Sequence, residues 1–177
     1  MKSIFLFLAI IPIISFAQNE TKSPAVLLNT NKYVKSTDNF TLAGAFELTK
    51  IAFESAAALN KDISVAILDA NGITILLVRG NNVGPHNTEA SRRKAYTALS
   101  TKTPSFELMQ KAAADATVKN LNTLPELLLL GGGVPIWLKG EVIGSIGISG
   151  AGGSLNDHNL AKKVLEKLGF QTTEVIN

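Results

Sequence analysis

The chain has 177 residues, with 17 basic and 14 acidic side chains, a formal net charge of +3 and no cysteine. This length suits one domain with a hydrophobic core. The lack of cysteine excludes disulfides and thiolate chemistry. The charge excess is mild, and no long basic stripe is interleaved with aromatic residues, so the composition does not indicate a nucleic-acid-binding protein.

The N-terminus has the three parts of a secretory signal peptide. A short positive start at Met1–Ser3 precedes the apolar run Ile4–Ile14, and Ser15-Phe16-Ala17 places small residues at the −3 and −1 positions of a cleavage site. A membrane anchor, the alternative, needs about 20 apolar residues, and this run is shorter. The sequence therefore predicts a signal peptide over residues 1–17 and an exported protein, periplasmic or extracellular, with no stable membrane anchor after cleavage.

Residues 18–39 are polar and irregular and are predicted to be an N-terminal arm, with a short docking segment at Ala25–Leu28, before a domain over residues 40–177. Within the domain, the periodicity of apolar residues and the turn residues predict helices and strands in alternation. The predicted elements are a helix over Thr41–Asn60 capped by Asp38 or Asn39; strands Ile63–Leu68 and Ile73–Val78 around an Asn71-Gly72 turn; a loop from Arg79 to Asn87; a helix Thr88–Thr101; a helix Pro104–Asp115 capped by Thr103; a strand Leu127–Leu130; a hairpin of Ile136–Leu138 and Val142–Gly150; and a last helix from Ser154 to Leu168.

This order predicts an α/β (α+β) fold, because hairpins imply antiparallel pairing, and helices must cover the central sheet. The first helix is expected to bury a stripe of residues at three- and four-residue steps, namely Leu42, Ala45, Phe46, Thr49, Phe53, Ala56 and Ala57. Gly144 and Gly147 stand inside the last predicted strand. Glycine weakens a strand, so its presence there predicts the close approach of another backbone or of a ligand.

Three segments together resemble the GlcG/HbpS-like family, which also includes the C-terminal domain of PduO. They are Ser91–Ala98, Gly131–Ile136 and Glu141–Gly150. The resemblance covers roughly Thr41 to Phe170. It implies a profilin-like α-β-α sandwich with a central antiparallel sheet of about five strands, and a tendency to form homo-oligomers. For some members it also implies haem binding, with haem degradation proposed.

His86 is the first candidate ligand-binding residue, because a neutral imidazole can ligate haem iron. The alternative is a solvated loop histidine. Arg93 and Lys94 could hold carboxylates such as haem propionates, and Lys94 matches the family's K-A-x-T-A stretch. The alternative for Arg93 and Lys94 is a solvated helix face on which Glu89 pairs with Arg92 and Arg93.

Gly132 and Gly133 could present backbone N–H groups to an anion. The alternative is a tight crossing between strands that needs positive φ. Ser149 has no histidine and acid partner at motif spacing, so no catalytic residue is assigned. The remaining polar or aromatic residues are expected to be structural: His158 at the surface, Asp157 as a helix cap, Asp69 in a turn, and Tyr96 and Trp137 in the core or at a subunit contact.

These observations predict an exported small-ligand-binding protein that holds haem or a similar planar, carboxylate-bearing molecule. Two alternatives remain open. One is a haem-degrading enzyme, and the other is an accessory or scaffold oligomer without a small ligand. The partners expected are the ligand and further copies of this chain.

Overall fold

The computed structural model describes residues 30–174. The predicted signal peptide and the docking segment Ala25–Leu28 lie outside these residues. The chain divides into two units, Met1–Lys35 and Ser36–Asn177. In the described part of the first unit, Thr30–Tyr33 forms a 3₁₀ turn in which the Lys32 ammonium lies 4.7 Å from the centroid of the Tyr33 ring.

The second unit alternates helices with strands in the predicted order. Its helices are α1 (Leu42–Ala57), α2 (Pro85–Thr101), α3 (Ser105–Ala114), α4 (Ala116–Lys119) and α5 (Ser154–Lys167), and its strands are β1 (Ser64–Asp69), β2 (Thr74–Arg79), β3 (Gly133–Leu138) and β4 (Glu141–Ser149). A 3₁₀ turn, Asn120–Thr123, follows α4. Between residues 30 and 174, no helix is long and apolar enough to cross a bilayer.

The strands form one antiparallel sheet in the order β2-β1-β4-β3. Both predicted hairpins are confirmed, and Gly72 takes the positive φ, +83°, that the first turn needs. The central strands β1 and β4 pair from Ser64 opposite Ser149 to Asp69 opposite Gly144. The sheet therefore has β2 and β3 at its edges.

The sheet has four strands among the described residues, one fewer than predicted. Leu127–Leu130 is not a strand. Its backbone makes local turn hydrogen bonds and bonds to side chains instead of pairing with a strand: the Leu128 N–H donates to Thr97 Oγ1 (2.8 Å) and Ser105 Oγ donates to the Leu130 carbonyl (2.7 Å). The apolar run is thus a loop held between helices α2 and α3.

Helices cover both faces of the sheet, as an α-β-α sandwich requires. Helices α1 and α5 pack on one face, where the largest apolar core forms, and α2 packs on the other. The buried stripe of α1 is Ala45, Leu48, Ala52 and Ala56. The predicted stripe was partly wrong, since Leu42, Phe46 and Ala57 are exposed.

Several predicted helix ends were also wrong. Helix α1 is capped by Thr41, whose Oγ1 accepts from the Gly44 N–H at 3.1 Å, and not by Asp38 or Asn39. Helix α2 begins at Pro85, three residues before the predicted start, because proline is favoured in a first helical turn. Helix α3 has Pro104, not Thr103, at its N-cap, without a side-chain hydrogen bond.

Candidate functional site

Helix α2 lies unusually close to the sheet because glycines face it. A Cβ atom at Gly147 in β4 would overlap the Ser91 carbonyl oxygen, and a Cβ at Gly133 in β3 would overlap the Lys94 carbonyl. The prediction that Gly147 admits another backbone is confirmed, and the backbone is that of α2. This contact fixes the depth at which the side chains of α2 enter the protein.

Lys94 projects from α2 into the interior, where it is only 3% exposed. Its ammonium lies 2.7 Å from Asp157 Oδ2 and 3.2 Å from both Ser149 Oγ and the Ile148 carbonyl. An ammonium has three protons, so these acceptors use its whole donor capacity. Lys94 therefore joins α2 to β4 and α5, and its predicted contact with a ligand carboxylate stays a prediction.

Asp157 is the counter-ion of Lys94 and does not cap α5, so the cap assignment was wrong. Its second oxygen accepts from the Ala151 N–H at 2.7 Å, which ties the preceding loop to the ion pair. The residue at the N-cap of α5 is Gly153, which has no side chain to offer. Sequence reasoning missed this pair because its members lie 63 positions apart.

A signal for the burial of Lys94 was nevertheless present in the sequence. Ser91, Ala95 and Ala98 are small residues at three- and four-residue steps, and all are buried. Lys94 lies on the same face of the helix, so its own periodicity indicated an interior position.

Ser149 belongs to the same polar cluster, but its contacts do not activate its hydroxyl as a nucleophile. Its hydroxyl donates to Asn87 Oδ1 at 2.8 Å and accepts from Lys94. Lys94 donates a hydrogen bond to Ser149 Oγ, so it is not placed to accept the hydroxyl proton as a general base. The geometry gives the cluster of Lys94, Asp157, Ser149 and Asn87 a structural role.

The glycine segment before β3 makes a tight crossing. Gly132 has φ +129°, and its carbonyl accepts from the Ile148 N–H at 2.9 Å. The Gly133 N–H donates to Ser105 Oγ at 2.8 Å, so this donor is already used within the protein. The positive φ supports the crossing, while an anion-binding role for Gly132 and Gly133 stays a prediction.

The outer face of α2 carries the other candidate residues. His86 is exposed and lies in the first turn of α2, so its placement in a loop was wrong. Arg92 contacts Glu89 at 2.7 Å and Glu126 at 2.8 Å. The hydrogen bonds that Arg92 donates to these two carboxylates raise its pKa, and the hydrogen bond from Arg92 is the main reason that the pKa of Glu89 is lowered.

Arg93 was expected to pair with Glu89, but it does not hydrogen-bond to that carboxylate. Its Nη2 donates to the Leu127 carbonyl at 2.6 Å, and its Nε is buried and has no partner among residues 30–174. Arg93 thus retains an unused donor beside the loop that follows α4.

An apolar cleft of about 410 Å³ opens between α2 and this loop. Its walls combine one aromatic ring, several aliphatic side chains, three hydroxyls and one carboxylate: Tyr96, Ser100, Thr101, Leu121, Leu124, Pro125, Glu126 and Leu127. Glu126 is paired with Arg92 and Leu127 with Arg93, which places both guanidinium groups at the border of the cleft. We name these eight residues the α2 cleft.

Tyr96 is half-buried and also packs on the core cluster of Ala66, Leu68 and Ala95, so its core role is partly confirmed.

His158 is 7% exposed, so its prediction as a surface residue was wrong. Its ring stacks on Phe106 of α3 at 5.1 Å between centroids, and its Nδ1 has no hydrogen-bond partner among the described residues. Burial is the main cause that lowers its pKa; the charge of Lys162 lowers it further, and Glu107 opposes the shift.

Trp137 is buried at 4% exposure, as predicted. Residues 30–174 contain no group of three or more histidine, aspartate or glutamate side chains that could hold a metal ion.

Comparison with known proteins decides the family. Residues 40–166 match the model of the family described as haem degrading protein HbpS-like. The chain belongs to the HbpS-like family. The resemblance noted from the three sequence segments is thereby confirmed.

Several related proteins align with this chain over much of its domain. An uncharacterised 15.0 kDa protein of Citrobacter freundii is 29% identical over 128 residues, covering 71% of this chain and 89% of that protein. The corrinoid adenosyltransferase PduO of Salmonella typhimurium is 30% identical over 71% of this chain, which spans only 38% of the length of that enzyme. Protein GlcG of Escherichia coli is 34% identical over 54% of this chain and 70% of its own.

Solved structures agree with the family fold. HbpS superposes with a TM-score of 0.72 at 33% identity, over 78% of this chain and 96% of that one. The PduOC:heme complex superposes with a TM-score of 0.69 at 27% identity, over 77% and 99%. The α+β fold with an antiparallel central sheet is therefore shared with HbpS-like proteins.

Proposed function

We propose that this protein is exported and binds haem, or a similar planar molecule with carboxylate groups, in the α2 cleft. The observation that carries the proposal is the cleft itself, an apolar cavity with guanidinium groups at its border. Ligand sites are typically cavities of about 300–1,000 Å³ with mostly apolar walls and a few polar groups that orient the ligand. Membership of the HbpS-like family and the haem complex of PduOC support this ligand class.

The residues of the cleft suit the two parts of such a molecule. Tyr96 offers an aromatic face and Leu121 and Leu124 offer aliphatic surface, so a macrocycle would bury apolar area there. Arginine binds carboxylates through two parallel hydrogen bonds. Arg92 can exchange Glu126, which is half-exposed, for a carboxylate of the ligand, and a second carboxylate that reached the buried Nε of Arg93 would satisfy that donor. When bound, haem would supply an iron centre, while these residues hold and orient its periphery.

His86 is separated from the cleft within one chain. It is ten residues before Tyr96 on α2, which is about 15 Å along the helix and about 80° around it. An iron ligand at His86 and a macrocycle in the α2 cleft of the same chain therefore need separate tests.

The cleft is tested by haem titration of the purified protein, followed by the Soret band. Leu124 is 51% exposed in the cleft, and Leu155 on α5 is 53% exposed outside it, so Leu124→Asp and Leu155→Asp form a matched pair. We expect Leu124→Asp to weaken haem affinity about tenfold to a hundredfold, since it removes burial of about 1.5–3 kcal/mol. Leu155→Asp should bind as the unchanged protein does. Equal affinities of the two variants would reject the cleft as the site.

The iron ligand is tested by the position of the Soret band in His86→Ala. A shifted band at unchanged protein stability would support His86 as the axial ligand, and an unchanged band would exclude it.

The same titration separates the alternatives for function. Decay of the haem spectrum with iron release under reductant and oxygen would indicate degradation. A protein that shows no Soret shift and no thermal stabilisation by haem would be an accessory oligomer.

A further inference from the structure

A second cavity lies on the opposite face of the sheet from α2. It is an open pocket bordered by the end of α1, the loop before α5 and the first turns of α5, and has a volume of about 320 Å³. Its lining is Ser55, Leu59, Lys61, Ala151, Asn156, Asn159, Leu160 and Lys163, none of which belongs to the α2 cleft. We name it the α1–α5 cavity.

Positive charge distinguishes this cavity. Its two charged lining residues, Lys61 and Lys163, are both cationic, and neither has an ion-pair partner within the described part of the chain. A third cation stands beside it, because the Lys167 ammonium donates to Ser55 Oγ at 3.1 Å. Three cations around a small cavity with no acidic lining residue raise the local concentration of anions.

The rest of the lining suits a small polar molecule. Asn156 donates to the Gly152 carbonyl at 3.0 Å, which leaves its side-chain oxygen as an acceptor. Asn159 is exposed three residues further along the same face of α5. Ala151 and Leu160 are buried and supply an apolar floor. The amides can therefore orient a molecule whose charged groups contact the lysines.

We propose that the α1–α5 cavity binds a small organic anion that carries two or more carboxylate or phosphate groups. Two charged groups on the ligand match Lys61 and Lys163, and the volume lies at the lower end of the range for small-molecule sites. This site does not depend on the function proposed for the α2 cleft.

Isothermal titration calorimetry tests the site with citrate as the carboxylate probe and inorganic pyrophosphate as the phosphate probe. We expect at least one of them to bind with one site per chain and with an affinity that falls as salt rises. The double variant Lys61→Ala/Lys163→Ala should lose at least tenfold in affinity. Lys50→Ala/Lys111→Ala removes the same charge from exposed positions outside the cavity and should stay within twofold of the unchanged protein.

A variant without a charge change separates a site from general attraction. Asn159→Leu removes an amide from the wall and should weaken binding about threefold to tenfold, as the loss of one hydrogen bond does. The site is rejected if neither probe binds at millimolar concentration, if the two double variants lose affinity equally, or if Asn159→Leu binds as well as the unchanged protein. Leu124→Asp should keep full anion binding, so failure of the haem proposal leaves this result unaffected.

Discussion

At the scale of single residues, the buried Lys94–Asp157 ion pair carries a large desolvation cost. Both side chains are about 95% buried, and moving two ions out of water costs several kcal/mol each. The structure compensates with further hydrogen bonds, from Lys94 to Ser149 and to the Ile148 carbonyl, and to Asp157 from the Ala151 N–H. Removing one ion would leave the other buried and uncompensated.

Lys94→Met should therefore lower the free energy of unfolding by about 3–5 kcal/mol, a large part of the total stability of a domain of this size. Urea denaturation followed by circular dichroism measures the change. Glu126→Gln removes one member of the half-exposed Arg92–Glu126 pair and should change stability by about 0–1 kcal/mol. Similar midpoints for the two variants would show that the buried pair contributes no more than the exposed one.

His158 makes stability depend on pH. Its folded-state pKa is lowered, mainly by burial, so the unfolded chain binds a proton at a pH where the folded protein does not. The sign follows directly: its contribution is fully present above its ordinary pKa near 6.5 and is lost as pH falls towards the folded-state pKa. The charged groups that act on it are Lys162, which enhances the effect, and Glu107, which opposes it.

We expect unfolding in urea to require less denaturant at pH 5 than at pH 7.5, and His158→Phe to reduce this difference. Phenylalanine retains a flat ring against Phe106 without a titrating group. His86→Phe is the matched control at an exposed histidine and should leave the pH dependence unchanged. An unchanged pH dependence in His158→Phe would assign it to other groups.

At the scale of elements, the contact between α2 and the sheet depends on small residues. Ser91, Ala95 and Ala98 of the helix are buried against the sheet, with Gly133 and Gly147 in the strands. The close packing leaves no volume for an added methyl group, since interiors are packed as densely as organic crystals.

Gly147→Ala should destabilise the protein by about 3 kcal/mol or more, because the new methyl group meets the backbone of α2, which cannot rotate away. Gly140→Ala, in the β3–β4 turn, has nothing within 4 Å of the new atom and carries only the strain of φ +78°. It should cost about 1–2 kcal/mol. Thermal unfolding of both variants provides the measurement, and a smaller loss in Gly147→Ala than in Gly140→Ala would contradict the close contact.

Local sequence patterns predicted most helices and strands, but not which groups satisfy their backbones or where the helices begin. Both hairpins follow from turn residues and alternating β-rich runs, which are local signals. Leu127–Leu130 was predicted as a strand because apolar runs look alike whether a strand or side chains of distant helices satisfy their backbone. Pro85 and Pro104 show a second limit, since the same residue type begins α2 but stands at the N-cap of α3.

The candidate site was less predictable than the fold, for a physical reason. Lys94 was selected as a candidate ligand-binding residue, but its partners Asp157 and Ser149 come from other elements and no local pattern links them. The α2 cleft likewise combines Tyr96 with Leu121 and Leu124, from a loop that has no regular periodicity. Such sites are defined by tertiary packing, and one sequence does not encode them as a motif.

At the scale of the whole molecule, the proposed export can be tested at its cleavage site. Intact mass measurement of protein recovered outside the cytoplasm should give a chain that begins at Gln18. Ala17→Arg places a large charged residue at the −1 position and should leave the leader attached, whereas Asn19→Arg lies beyond it and should be processed. Recovery of the unprocessed chain from the cytoplasm alone would refute export.

The separation of Lys94 and Asp157 along the chain has a consequence for the order of folding. The four strands that residues 30–174 contain and α2 all precede Asp157, yet the ammonium under α2 has no counter-ion until α5 has been made. A chain that ends at Gly153 therefore holds every strand of the sheet but leaves an uncompensated cation at its centre, and we expect it to remain loosely packed. We therefore expect the layers made first to become rigid only after α5 has been made and has docked.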